Sequence, residues 1–173
     1  AVITGGHAFE VPPFYELFYE LPDIVSYPQH MDNFVADWAR VADDYNVVLF
    51  YHMLMEDPAG ELSKRQQEMF EKLGQLGNNP DQGIVVLHHA ILAWPKWPFW
   101  SELVGIEERG FDYHLNQELQ VEITDPEHPI VSGLATPWHL ADETYTMADP
   151  LPESNNHALL GTEHDPSMRR LAW

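Results

Sequence analysis

The chain has 173 residues, 28 acidic and 8 basic, giving a formal net charge of -20, with 45% hydrophobic and 12% aromatic residues. That is enough apolar side chain to fill a core, while the few scattered cations cannot neutralise a phosphate backbone, so nucleic acid and anionic membrane surfaces are not expected partners. Cysteine is absent, which excludes disulfides, thiolate metal ligands and a cysteine nucleophile.

The length suits one domain over residues 1–173, and no proline- or serine-rich linker divides it. No apolar run approaches the roughly 18 residues of a membrane span, so a cytoplasmic location is expected. "AVIT" reads as a short buried strand and "GGHAFE" as the turn after it. Phe14, Leu17, Phe18 and Leu21 then recur at helical spacing behind Pro12 and Pro13, which a helix start tolerates. "DIVSY" reads as a second strand. Asp32 is placed to cap a helix whose stripe is Phe34, Val35, Trp38, Val41 and Ala42.

"NVVLFYHM" is a third strand, and residues 61–76 form a third helix with Leu62, Met69, Phe70, Leu73 and Leu76 on one face. "GIVVLHHA" follows, an unbroken apolar run of the kind buried on both faces of a sheet, with two histidines where the strand ends. Three strand–helix alternations argue for right-handed crossovers. The fold class is therefore α/β: a flavodoxin-like, doubly wound, mainly parallel sheet with helices on both faces. Beyond residue 94 prolines break "WPKWPFW". "LQVEIT", "DETYTM", "HALLGTE" and "RRLAW" then suggest a β-rich, antiparallel C-terminal extension.

In open α/β sheets the ligand crevice lies beyond the carboxyl ends of the strands. His7 follows the first strand, His52 the third, and His88 and His89 the fourth, so residues distant in sequence are expected at one edge. Alternation along a strand sends His88 and His89 to different faces, with His88 expected toward the ligand and His89 holding the turn. His52 reads as a structural strand-end residue, and His128 in "EHPIVSG" as one that fixes a turn. His114 in "FDYHLNQ" and the run Asp142, Glu143, Tyr145 in "ADETYTM" add further polar candidates. The Asp-Glu pair serves equally as a carboxylate source for acid/base work or as a solvated turn.

Taken together, "VITGGHAFE", "VVLHHAILAW", "HPIVSGL", "DETY" and the closing "LAW" resemble the trehalose-utilisation, or ThuA-like, family of the class I glutamine amidotransferase-like superfamily. The resemblance implies a flavodoxin-like fold and a role in metabolism of trehalose and related disaccharides. Where related amidotransferases keep a cysteine after the central strand, this chain has His88 and His89, so thioester chemistry is excluded. The resemblance implies a continuation past "LAW" into another strand and a Gly-His segment, so the chain is expected to be either a shortened member or one with that piece missing.

The function expected on these grounds is a carbohydrate lyase or hydrolase acting on 3-keto glycosides by metal-assisted acid/base chemistry. Glu143 and His88 would be catalytic, with Asp142 and Tyr145 orienting them; His7, His89, Trp94 and His114 would bind substrate. His7, His88 and His114 would hold a divalent metal such as zinc, and no nucleotide cofactor is expected. The alternative is a non-catalytic carbohydrate-binding or interaction domain: Trp94, Trp97, Trp100 and Trp138 would face sugar rings, or "WPKWPFW" would form a patch for a second copy in a homo-oligomer.

Overall fold

The computed structural model describes residues 1–56, 58–151 and 156–173, and the chain forms two compact units, Ala1–Trp100 and Ser101–Trp173. In the first, β1 (Val2–Gly5), β2 (Pro28–His30), β3 (Val47–His52) and β4 (Gly83–Val86) make a wholly parallel sheet. Its strand order is β2-β1-β3-β4, following flavodoxin-like order through four strands. The chain steps from β1 outward to β2 and then back across to β3. The order therefore reverses between β1 and β3, the position beyond whose carboxyl ends open α/β sheets place their ligands.

Helices α1 (Val11–Tyr19), α2 (Met31–Val41) and α3 (Lys64–Leu73) cover both faces. Side chains alternate along β3, and the two faces find different partners. Tyr51 stacks on Phe14 of α1 at 4.3 Å between centroids, while Phe50 meets Phe34 of α2 edge-on at 6.4 Å. Val48, Phe50 and His52 are the fully buried side of that strand, with Ile3, Phe34, Leu73, Trp94 and Trp100 in the same core. Ser63 caps α3 in a reciprocal box with Gln66, which is why that helix starts inside the expected span 61–76.

Three local expectations are corrected. The second strand is Pro28–His30 rather than "DIVSY": Ile24, Val25 and Tyr27 are 54%, 77% and 55% exposed, and pairing with β1 begins only at the Tyr27 carbonyl, which accepts Val2 N–H at 3.1 Å. The cap of α2 is His30, whose Nδ1 accepts the Asp32 N–H at 3.2 Å, with Asp32 inside the first turn. In the α2 stripe Phe34, Val35 and Ala42 are buried and Trp38 is half-buried; the Val41 side chain lies outside the described residues. Finally, β4 is an edge strand, so Val85 is 41% exposed and the run is not buried on both faces.

In the second unit β5 (Asp112–Ile123) and β6 (Trp138–Thr146) pair as a long antiparallel ribbon, and β7 (Leu160–Gly161) and β8 (Arg170–Ala172) extend it in the order β6-β5-β7-β8. A bulge between His114 and Gln117 shifts the register, with Asn116 at φ +55°. Leu119, Val121, Val131, Tyr145, Leu159 and Met168 form its core. A further helix, α4 (Pro98–Val104), begins in the first unit and ends in the second. Among the described residues no helix is long and apolar enough to cross a membrane.

Candidate functional site

The C-terminal edge of the parallel sheet gathers imidazoles from three strand ends. β1 stops because Gly5 and Gly6 take positive φ, 142° and 72°, and a Cβ at Gly6 would lie 2.4 Å from the Met53 carbonyl oxygen. The tight approach carries the chain directly into His7. β4 ends in a short 3-10 turn, His88–Leu92, entered through His88 at φ +52°. A non-glycine residue in the left-handed region costs on the order of 1–3 kcal/mol, and such strain clusters at functional sites.

The turn separates the two adjacent histidines. His88 is exposed and His89 is 2% exposed. The His89 ring lies 4.4 Å from His7, 4.3 Å from Tyr51 and 5.2 Å from His88. Its Nε2 is buried without a hydrogen-bond partner among the described residues. Burial, then the neighbouring His7 and His88, push the His89 pKa down to about 4, so at neutral pH it is an uncharged ring under two exposed imidazoles.

His52 lies deeper. Its ring is 4.5 Å from Trp94 and 5.4 Å from Trp100, and neither nitrogen has a hydrogen-bond partner among the described residues. Burial, and secondarily His89, lower its pKa to about 3.

The other expected site residues are placed as follows. Trp94, expected against a sugar, is fully buried at φ +45°, and its ring meets Phe70, Trp97 and Trp100. Trp100 is also fully buried and donates its indole N–H to the Ala90 carbonyl at 3.0 Å. His114, Asp142, Glu143 and Tyr145 belong to the second unit. There His114 Nε2 meets Thr146 Oγ1 at 2.9 Å, and the Asp142 carboxylate accepts the Glu143 N–H at 2.8 Å. Tyr145 is buried with its ring against Phe111 at 5.5 Å. His128 Nδ1 accepts the Ile130 N–H at 3.3 Å, and its ring stacks on His157, which pairs with Asp125 at 2.5 Å. That bond holds the Asp125 carboxyl below its ordinary range.

Among the described residues no group of three or more His, Asp or Glu side chains is placed to hold a metal ion. His7 and His89 meet ring face to ring face, 33° from parallel, so their in-plane lone pairs do not converge. His114 lies in the other unit, so the expected trio His7, His88 and His114 is not assembled within either one.

Sequence reasoning missed His30, which sits at the end of β2 beside the same edge: a Cβ at Gly5 would fall 2.9 Å from its Nε2. The signal was a histidine immediately before a helix start, obscured by placing the strand too early. An open cleft of about 530 Å³ lies elsewhere on the first unit, beside Trp38, Gln75, Asn79 and Gln82. Its amides close on the protein itself: Gln82 donates to the Ala42 and Tyr45 carbonyls at 2.6 and 2.8 Å, and Gln75 to Glu71 at 3.2 Å.

A family model described as ThuA, trehalose utilisation, matches residues 32–170. Among solved structures, a ThuA-like protein from Bacteroides uniformis ATCC 8492 aligns with TM-score 0.59 and 20% identity, covering 93% of this chain and 66% of its own. One from Parabacteroides merdae ATCC 43184 aligns with TM-score 0.57 and 18% identity, covering 93% and 67%. At these identities the likeness is one of fold, and the chain spans about two thirds of their length. No curated protein matches the chain.

Proposed function

The chain belongs to the ThuA, trehalose-utilisation, family, and from that premise we propose that it is a sugar-processing enzyme of disaccharide metabolism that cleaves keto glycosides by acid/base chemistry. The family match supports a role in sugar metabolism. The observation that carries the chemistry is the contact of His7 and His88, both exposed, with the buried neutral His89 at the switch point of the sheet.

An exposed imidazole is suited to take a proton near neutral pH, and a neutral ring packed beneath it holds its position without adding charge. On a 3-keto glycoside the base, His88 or His7, removes the proton from C2, and the C2–H electrons form the enolate of the ketone. Collapse of that enolate breaks the C1–O bond, and the proton carried by the imidazole passes to the departing oxygen. Atoms and charge balance within substrate and imidazole. A second candidate base is Glu143 on β6, with Asp142 and Tyr145 on the same strand.

The test is incubation with 3-keto-trehalose, following release of free glucose, in wild type, His88→Ala, His7→Ala and Glu143→Gln. The reading expects loss of release in the histidine variants with unchanged melting temperature. Release at the wild-type rate in both histidine variants overturns it.

A further inference from the structure

At this sheet edge the backbone dictates where His30 carries its proton. It is the last residue of β2 and the N-cap of α2. Its Nδ1 accepts the backbone N–H of Asp32 at 3.2 Å, so in the neutral ring the proton must reside on Nε2. The Asp32 carboxylate is farther from Nδ1, at 3.5 Å, and is already engaged by Arg65 at 2.7 Å, so it does not compete for that nitrogen.

Nε2–H therefore points away from the helix. It lies where a Cβ on residue 5 would come within 2.9 Å, above the Gly5–Gly6 turn that carries the chain from β1 to His7. The side chain is half exposed and Nε2 has no partner among the described residues. Glycine at position 5 thus does two things: it permits φ +142° and leaves the space that the imidazole edge occupies.

We propose that His30 is the hydrogen-bond donor to the substrate oxygen on which negative charge develops, the ketone oxygen of a keto sugar in the reading above, on which this inference rests. A neutral imidazole is a competent electrophile for a carbonyl, and a donor fixed before the reaction needs no reorganisation when the enolate forms. His7 follows the Gly5–Gly6 turn at the end of β1, and His30 ends the neighbouring β2, so both belong to the strand ends beside the turn over which the sugar ring would sit.

Two measurements test this. Long-range nitrogen–proton NMR of the histidine rings in the ligand-free protein at pH 7.5 is expected to show His30 as the Nε2–H tautomer; an Nδ1–H ring overturns the proposal. His30→Asn keeps a good helix cap but is too short to place a donor over Gly5. With 3-keto-trehalose as substrate, this variant is expected to lose about 10²-fold in kcat, with KM within about threefold and melting temperature unchanged. Wild-type kcat in His30→Asn, beside an inactive His88→Ala, overturns this proposal alone. A wild type that neither binds nor cleaves the keto sugar overturns the sugar reading and this inference together.

Discussion

At the edge of the first sheet, His7, His88 and His89 meet ring to ring because the turns that follow the parallel strands β1 and β4 converge beyond β3. Along β5 and β6, His114, Asp142 and Glu143 are strung through the strands themselves, where alternation sends neighbours to opposite faces; His114 bonds across to Thr146, and Asp142 accepts from the next residue of its own strand. The two regions carry similar residue types. Strand ends gather side chains from distant sequence into one place, whereas strand interiors distribute them, so the same composition yields a cluster in one unit and a bonded ribbon in the other.

Removing His88 should have the largest effect: His88→Ala is expected to lower kcat/KM on a keto disaccharide by about 10²–10⁴-fold, the range of a lost general base. A comparable loss in Glu143→Gln would break the contrast, because the ribbon would then share the chemistry. Next is the core beneath the cluster. Phe50 is fully buried on β3 between α2 and Trp100, and Phe50→Ala should cost about 3–5 kcal/mol in denaturant unfolding.

The buried imidazoles predict an acid slope. His52 and His89 bind their proton less readily in the folded protein, with pKa values of about 3 and about 4, than in the unfolded chain, where histidine titrates near 6.5. Stability is therefore full above that pH and falls as pH drops toward 4 and then 3, by about 1.4 kcal/mol per pH unit for each histidine. His52→Phe should flatten the slope measured between pH 6 and 4; an unchanged slope would mean that the buried ring is not what acid attacks. Gly6→Ala comes next, expected to destabilise by about 1–3 kcal/mol through its φ of +72° and the Met53 carbonyl. In the second unit Asp125→Asn should change the melting temperature least, since its partner His157 is mostly exposed and the pair is only partly shielded from water.

The recurring strand–helix pattern was legible in the chain because buried faces impose a period on their residues: the stripes of α2 and α3, the runs of β3 and β4, and the strand pair near the C-terminus all follow from it. The boundaries of β2 and β5 were not, because exposed apolar residues such as Val25 imitate a strand and the polar residues of a solvated ribbon conceal one. The sequence by itself determined the parallel α/β character of the first unit, the absence of a thiol nucleophile, and the presence of histidines after strands. Tertiary structure alone decided that His89 is buried while His88 is exposed, that Trp94 belongs to the core, and that His30 stands over Gly5. The physical reason is range: periodicity records which face of an element is buried, but a φ of +52°, a missing Cβ and a helix cap become consequential only when neighbouring strands bring their ends together.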